Sequence, residues 1–302
     1  MNYLWIILCQ IIVGSSYPIA KEAVDNVPEL VLACVTLGLA SLLLMPIAAK
    51  VDKTKWSRFG KDRWIKVGFQ SLCACVLYTV FLFLALSHAS ATVSGIFNGL
   101  APAIVFVLSP FIVHEKLNLK KGLSILLAIA AVVIISVVSS ESGGTDIMGV
   151  VFLLLSAISV SLFTVFSKKF TVDDLKPVTA AAGVCFSGFV ITAPFAVVQT
   201  LTSGFDYSVF FDGRIAAETV YYAVFVWAIA YVLWYVAIPK VPATFGGVGQ
   251  AIVPIASMLS SVFFFHETLR GIDVIGLVLI TLSVVISVFA DKNDERKAEE
   301  DE

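Results

Sequence analysis

Charged side chains are scarce in this chain of 302 residues, and its long apolar runs contain almost none of them. Only 14% of the residues are charged, 59% are apolar, and the mean hydropathy is +0.97. A soluble domain usually contains about 25% charged and about 45–50% apolar residues. The composition therefore excludes an ordinary soluble globular protein and predicts a membrane protein.

The sequence also lacks recognisable catalytic, metal-binding or redox motifs. The five cysteines lie within apolar runs and form no C-x-x-C pattern, so no metal or redox motif is indicated. The three histidines, His88, His114 and His266, lie at the ends of runs and far from any cluster of nucleophile and base. We therefore expect no enzyme, no metal and no cofactor.

Ten apolar runs are long enough to cross a bilayer, which takes roughly 20 residues per helix. They cover residues 3–20, 29–49, 64–87, 91–113, 119–138, 147–167, 177–199, 217–238, 242–265 and 271–290. The first run lacks the basic residues of a secretory signal, so we expect it to be retained as a span. The predicted fold is an all-α membrane protein of ten transmembrane helices.

The distribution of basic residues predicts the orientation. Of the 20 Lys and Arg residues, 17 lie in alternate loops, at the neighbouring helix ends or in the carboxyl-terminal tail. The exceptions are Lys21, Arg214 and Arg270. Because cytoplasmic loops are enriched in Lys and Arg, both termini are expected in the cytoplasm, in a multi-pass protein of the cytoplasmic membrane.

The chain also contains an internal repeat. Residues 98–117 read NGLAPAIVFVLSPFIVHEKL, and residues 250–269 read QAIVPIASMLSSVFFFHETL. At this offset of 152, ten of the 33 positions from Ala85 to Leu117 are identical. Five spans per copy force the second copy to insert upside down, which predicts two inverted repeats. We expect a first repeat over 1–141, a second over 142–290, and a disordered charged tail over 291–302.

These motifs resemble the ten-helix, EamA-like branch of the drug/metabolite transporter superfamily. The resemblance rests on GSSYPIAK in the first span, on YTVFLFLALSHASA with VHEKL, and on YVLWYVAIPKVPAT with FHETL. It covers nearly the whole chain. The sequence departs from the family at Val13, where tryptophan is usual, and at His114 and His266, where glycine is frequent.

The resemblance implies a central cavity lined by spans one, three, four, six, eight and nine. Glycines and prolines at matching places in two inverted halves indicate a midplane site, because a broken helix exposes backbone dipoles to a ligand. The candidate positions for helix breaks or gating are Gly95, Gly99, Pro102, Gly246, Gly247 and Pro254. Packing without a role in gating would use the same glycines.

Polar and aromatic residues on the implied cavity spans are the candidates for substrate binding. They are Gln10, Tyr17, Tyr78, Thr79, Ser94, Asn98, Ser159, Phe163, Trp227, Tyr231, Trp234 and Gln250. Asn98 and Gln250 are matched by the repeat, and each lies four residues before a matched proline. Intramembrane amides either contact the substrate, which we favour, or join helices by hydrogen bonds.

Aromatic residues share one face of the eighth span. Trp227, Tyr231, Trp234 and Tyr235 follow helical spacing within TVYYAVFVWAIAYVLWYV. Such a face could line a cavity and hold a quaternary ammonium group by cation–π attraction, or it could pack against lipid.

Two further features concern coupling and the ends of the spans. The first span has no Asp or Glu at depth, which disfavours the proton-coupled cation antiport of the small multidrug members of the superfamily. The pairs His114–Glu115 and His266–Glu267 end the fourth and ninth spans. There they either anchor loops or take part in function.

The sequence therefore predicts a secondary transporter that moves a small polar or amphipathic metabolite by alternating access, with export of amino acids or related metabolites favoured. A quaternary-amine carrier with an aromatic cage is the alternative. A nucleotide-sugar carrier is disfavoured, because the spans hold no Lys or Arg at depth. An intramembrane enzyme, a channel or a scaffold is the rival from another class. We expect a small-molecule substrate and a lipid bilayer as partners, no nucleic acid, and a chain compatible with a monomer.

Overall fold

A computed structural model describes residues 1–86, 101–115, 118–138, 147–173, 175–265, 275, 278–279, 281–287 and 289–290. Within these ranges every regular element is a helix. The α-helices are α1 (Asn2–Asn26), α2 (Glu29–Val51), α3 (Lys61–Ser71), α4 (Tyr78–Leu86), α5 (Ala101–Ile112), α6 (Leu119–Val138), α7 (Ile147–Asp173), α8 (Pro177–Ser203), α9 (Gly213–Tyr221), α10 (Tyr231–Ala237), α11 (Ala243–Gln250) and α12 (Ile252–Phe265). Short 3₁₀ turns lie at Trp56–Arg58, Tyr207–Phe211 and Ile238–Lys240.

Helix occupies the described part of each of the ten predicted spans, so the all-helical fold class is confirmed. Among the described residues, five helical stretches are long and apolar enough to cross a membrane. They are Glu29–Val51, Lys61–Phe81, Ile147–Thr171, Pro177–Ser203 and Gly213–Lys240. Of the tenth span, residues 281–287 are helical, and the predicted tail over 291–302 lies outside the described residues.

Wide-turn π segments interrupt the third and eighth spans. Leu72–Leu77 joins α3 to α4, and Tyr222–Ala230 joins α9 to α10. The offset of 152 that aligns the repeats carries residues 72–77 onto 224–229, which lie within the second segment. A π segment is rare and frequently marks a functional site. Its recurrence at matching positions agrees with the duplication seen in the sequence.

Large apolar side chains cover the outside of the bundle. Leu42, Phe111, Leu201 and Phe263 are all more than 70% exposed. Exposed apolar area on this scale is costly in water, whereas lipid tails cover it without cost. Buried hydroxyl groups instead donate to carbonyls of their own helices, as Thr36 does to Leu32 at 2.8 Å. These hydroxyl groups are thereby satisfied within their own helices, as a bilayer requires.

The second and seventh spans pack side by side and run antiparallel. Hydrogen bonds join the start of α2 to the end of α8, where the Leu30 amide donates to Gln199 Oε1 at 3.0 Å. At the opposite ends, Asp52 Oδ2 accepts from the Thr179 amide at 2.7 Å and from its hydroxyl at 2.8 Å. The Asp52 carboxylate therefore caps the amino-terminal turn of α8, whose own N-cap residue, Lys176, makes no side-chain cap.

Several of the remaining contacts between spans match in the two halves. The first span, α1, packs against the eighth and ninth, and the sixth span, α7, packs against the third and fourth. Likewise the second span contacts the eighth, and the seventh span contacts the third. Exchanging each span for its repeat partner turns one set of contacts into the other.

The first and ninth spans approach most closely at Gly14. A Cβ atom built on Gly14 would lie 2.5 Å from the Val253 carbonyl oxygen and 2.6 Å from the Ala256 Cβ. Both distances are far below van der Waals contact, so any larger residue would push α1 and α12 apart. Small residues commonly allow such approach between membrane helices.

Replacing Gly14 by alanine should therefore destabilise the fold. We expect Gly14→Ala to lower the free energy of unfolding by about 1–3 kcal/mol, the usual cost of overpacking. Thermal unfolding of the detergent-solubilised protein, followed by tryptophan fluorescence, would measure it.

Gly68→Ala is the matched control, because Gly68 lies within α3 and a Cβ there would meet nothing within 4 Å. Alanine favours helix over glycine by about 0.5–1 kcal/mol, so this variant should be as stable as the natural protein or more stable. Equal stability of the Gly14 and Gly68 variants would contradict the close packing of α1 on α12.

Candidate functional site

The short helix α11 is buried on all sides, and its glycines allow other helices to approach it. Residues 243–249 are all buried. A Cβ atom on Gly246 would lie 3.2 Å from Thr164 Cγ2 of α7, and one on Gly247 would lie 3.0 Å from Val105 Cβ of α5. Because both distances are tighter than ordinary contact, a larger residue at either position would displace a neighbouring helix.

A third glycine of α11 faces the first span. A Cβ atom on Gly249 would lie 2.8 Å from Ile6 Cγ2 and 3.9 Å from Gln10 Cγ. Gln10, a predicted substrate-binding residue, is 6% exposed. The fold thus places a buried amide of α1 beside the carboxyl-terminal end of α11.

The predicted ninth span is divided in two at Ala251. The amide of Ala251 donates to the Val248 carbonyl at 3.1 Å, a tightened turn between α11 and α12. Pro254 follows within α12, and proline has no N–H to donate. The carbonyl of Gln250, four residues earlier, therefore lacks its usual helical donor.

The side chain of Gln250 is held in one orientation by Thr164. Gln250 Nε2 lies 2.5 Å from Thr164 Oγ1, while the Thr164 hydroxyl donates to the Val160 carbonyl at 3.0 Å. Since the hydroxyl proton is committed to Val160, Thr164 accepts from the amide nitrogen. This contact joins α11 to α7, as structural packing alone would require. It also directs Gln250 Oε1 away from Thr164, on a side chain that is only partly buried.

An aromatic cluster lies beside this break. The rings of Phe163 and Trp234 stack with their centroids 5.8 Å apart, and Tyr231 lies 5.9 Å from Phe163 and 5.3 Å from Trp227. The Trp234 ring also reaches Gly246, to 3.3 Å from a Cβ atom built there. The aromatic cluster therefore joins the sixth and eighth spans to α11.

The polar atoms of these aromatic residues bond to partners that the sequence did not reveal. Trp227 Nε1 donates to Thr36 Oγ1 at 3.0 Å, Trp234 Nε1 donates to Ser167 Oγ at 2.9 Å, and the Tyr235 hydroxyl donates to Gln70 Oε1 at 2.7 Å. Trp234 is 3% exposed and Tyr235 is fully buried, so both rings pack against protein. A hydroxyl or amide within an apolar run was the available signal, but most runs carry several.

The other predicted binding residues are spread over the bundle. Tyr78 and Thr79 begin α4 and are half-buried, and the Ser156 hydroxyl donates to the Tyr78 carbonyl at 3.5 Å. Ser159 is buried and bonds the Leu155 carbonyl of its own helix. Tyr17 lies in α1, and Pro102 lies in α5, where its Cα is 3.3 Å from a Cβ atom built on Gly247. Ser94, Gly95, Asn98, Gly99, His266 and Glu267 lie outside the described residues.

Glu115 caps the opposite end of α11. Its carboxylate accepts from the amides of Ala243 and Thr244, the latter at 3.1 Å, and these are the first two residues of the helix. Because α5 ends where α11 begins, the fourth and ninth spans run antiparallel. The N-cap residue of α11 is Pro242, which makes no side-chain cap, so the carboxylate supplies what the helix lacks.

Lys168, at the end of the sixth span, completes this network. Its ammonium group lies 2.9 Å from Glu115 Oε1 and donates to the Val241 carbonyl at 2.6 Å. The two side chains are 18% and 10% exposed. One charged pair therefore joins the end of α5 and the start of α11 to α7. Anchoring of these segments would explain the same position.

A groove of about 610 Å³ lies between α1 and α12. Its lining is almost wholly apolar, with Ile11, Ile255, Leu259 and Phe263 among the residues and two serines at its edge. Ile11 and Phe263 are exposed. Such a surface suits lipid tails better than a polar solute.

Among the described residues, no three or more His, Cys, Asp or Glu side chains lie close enough together to hold a metal ion.

Comparison with known proteins gives a consistent picture. The profile of the EamA-like transporter family matches residues 1–137 and 147–289, nearly the whole chain. A Bacillus subtilis (strain 168) protein described as uncharacterized transporter YetK is 27% identical over 289 residues, covering 94% of this chain and 86% of that protein. A Salmonella typhimurium (strain LT2) protein described as a probable amino-acid metabolite efflux pump is 23% identical over 296 residues, covering 94% and 93%.

A solved crystal structure shares the fold. It superposes with a TM-score of 0.80 at 20% sequence identity, covering 96% of this chain and 97% of the other.

Removing the Glu115 carboxylate should destabilise the protein more than removing an exposed ion pair. Glu115→Ala leaves two helix amides without their acceptor and removes one acceptor of the Lys168 ammonium. Hydrogen bonds to charged groups contribute about 1.5–3 kcal/mol each. We expect a loss of at least about 2 kcal/mol in thermal unfolding, with Glu115→Gln intermediate.

Asp62→Ala is the control, because Asp62, whose side chain is 75% exposed, pairs with Lys66 one helical turn away at 2.9 Å. Such pairs contribute about 0.3–0.5 kcal/mol. If the two alanine variants unfolded at the same temperature, Glu115 would not be capping α11.

Proposed function

The chain belongs to the EamA-like transporter family, and from that premise we propose that it is a secondary transporter that exports amino acids or related small metabolites. The observation that carries the proposal is the break between α11 and α12, where the amides of Gln10 and Gln250 lie beside a main-chain carbonyl that lacks its usual helical donor. Buried polar groups of this kind in membrane helices mark substrate or ion paths. The name given to the Salmonella typhimurium relative supports amino acids as the substrate class.

The transport mechanism that we propose is alternating access by two inverted repeats, over 1–141 and 142–290. Antiparallel packing supports it for two matched pairs, the second with the seventh span and the fourth with the ninth. Partners in an inverted repeat must run in opposite directions. The positions where we place the gating movements are Gly95, Gly99, Pro102, Gly246, Gly247 and Pro254.

The proposed binding site combines the aromatic cluster with the amides of Gln10 and Gln250. Substrate selection then depends on uncharged groups. The side chains that the structure pairs at the break, Gln250 and Thr164, carry no charge. A monomer in the cytoplasmic membrane suffices for this arrangement.

A quaternary-amine carrier is the second candidate. Its basis is the row of neighbouring rings formed by Phe163, Tyr231 and Trp227, because an aromatic face attracts a methylated ammonium group. Cation–π attraction would contribute about 0.5–2 kcal/mol for each such contact.

Counterflow in proteoliposomes tests the function. Vesicles that contain the purified protein and unlabelled amino acids should transiently accumulate the labelled amino acid, because a carrier exchanges substrate across the membrane without net flux. A mixture of neutral amino acids is the first probe and choline is the second. Accumulation of choline alone would favour the quaternary-amine carrier. Equilibration without overshoot for every solute would contradict a carrier and indicate a channel or a scaffold.

Thiol labelling tests the proposed orientation. In a variant without its native cysteines, a single cysteine placed within residues 141–146 should react with an impermeant reagent added outside intact cells. A cysteine within residues 50–59 should react only after the membrane is opened, because that loop carries Lys50, Lys53, Lys55 and Arg58. The reverse labelling pattern would overturn the orientation.

A further inference from the structure

On the premise of the transport function proposed above, we infer that the α11–α12 break binds a protonated primary amino group. The substrate is then an amine that carries N–H donors, and quaternary ammonium compounds are excluded from the site. The inference rests on two groups of Gln250 that lie side by side. Its main-chain carbonyl lacks its usual helical donor, and its side-chain oxygen is directed away from Thr164.

Two acceptors are present at Gln250. Its main-chain carbonyl lacks its helical donor because Pro254 has no N–H. Its side-chain oxygen faces away from Thr164, because the amide nitrogen takes the Thr164 contact and the Thr164 proton goes to Val160. Both groups accept hydrogen bonds and neither can donate one, so the complementary ligand group is a donor.

The field of the helix adds to this preference. Gln250 is the last residue of α11, and the carboxyl-terminal end of a helix carries a partial negative charge that attracts cations. The partial positive charge at the other end is already met by the Glu115 carboxylate. Half-helix ends and unwound carbonyls bind cations in other membrane carriers by the same physics.

The aromatic cluster suits a quaternary ammonium group poorly in this arrangement. Phe163 and Trp234 stack against each other at an interplanar angle of 22°, so each covers a face that a methylated cation would need. Trp234 is also 3% exposed. A trimethylammonium group at Gln250 would leave both oxygens without a donor, and sites that lose a hydrogen-bonding partner discriminate strongly against the ligand that lacks it.

A methylation series of one amine tests the inference directly. The probes are 2-phenylethylamine and its N-methyl, N,N-dimethyl and N,N,N-trimethyl derivatives, all cationic at neutral pH. Binding to the purified full-length protein in lipid nanodiscs would be measured by calorimetry and by thermal shift. We expect affinity to fall with each methyl group and to be at least about tenfold weaker for the trimethyl compound, as loss of a hydrogen bond to a charged group implies.

Pro254→Ala isolates the role of the carbonyl. Alanine supplies the missing N–H, so the Gln250 carbonyl regains a helical donor while the amide side chain stays in place. Affinity for the primary amine should fall about two- to tenfold, and affinity for the trimethyl compound should not change. Pro194→Ala is the matched control, because Pro194 also lies inside a helix, α8, and should not alter binding. Gln250→Leu should weaken primary-amine binding further, and thermal unfolding without ligand shows whether each variant is folded.

Several results would overturn the inference. These are equal or tighter binding of the trimethyl compound, unchanged primary-amine binding in Pro254→Ala, or no binding of any amine to a protein that performs counterflow with another solute. A primary-amine affinity that requires sodium, with the sodium dependence lost in Pro254→Ala, would assign the acceptors to Na⁺ and also overturn it. Selective amine binding without counterflow would support the site but contradict the transport function.

Discussion

The folding of this protein depends on satisfying backbone hydrogen bonds where no water is present. Helices satisfy their own interior, but each amino-terminal turn leaves N–H groups unpaired. Two helices, α8 and α11, begin after residues that make no side-chain cap, Lys176 and Pro242. Carboxylates from the ends of their antiparallel partners, Asp52 and Glu115, supply the missing acceptors. The same contacts therefore complete the helices and fix which spans lie together.

Glycine makes this packing possible around α11. A helix buried on every side can touch several others only if its side chains are small, and Gly246, Gly247 and Gly249 each face a different neighbour. Because glycine has no side chain, these positions bury little apolar area that would stabilise the helix contacts. Specific polar contacts therefore contribute to holding α11 against its neighbours. The bond between Gln250 and Thr164 is one of them. The close approach of α11 to its neighbours therefore permits both tight packing at the glycines and a hydrogen bond at Gln250.

Periodicity and composition predicted the helical class, because a run of about 20 apolar residues has few other structures available in a bilayer. The repeat also identified Gln250 and Pro254 from their matched spacing. Side-chain partners could not be predicted in the same way. Thr36, Gln70 and Thr164 each share their helix with other polar residues, and only the rotation of each helix decides which neighbour they meet. The π segments were missed as well, because their residues are as apolar as those of the flanking α-helix.

The two ends of α11 connect the charged network to the binding site that we propose. An eight-residue helix is about 12 Å long, so the Glu115 carboxylate and the Gln250 acceptors act on opposite ends of one short rigid element. A cation that binds at Gln250 and a carboxylate that binds at Ala243 both stabilise the same helix dipole. Lys168 links the Glu115 end to α7, which also holds Gln250 through Thr164. Any tilt of α11 relative to α7 must therefore alter the Gln250–Thr164 contact and the Glu115–Lys168 contact together. Ligand binding at the break is in this way physically coupled to Glu115, after the fourth span, and to Lys168, after the sixth.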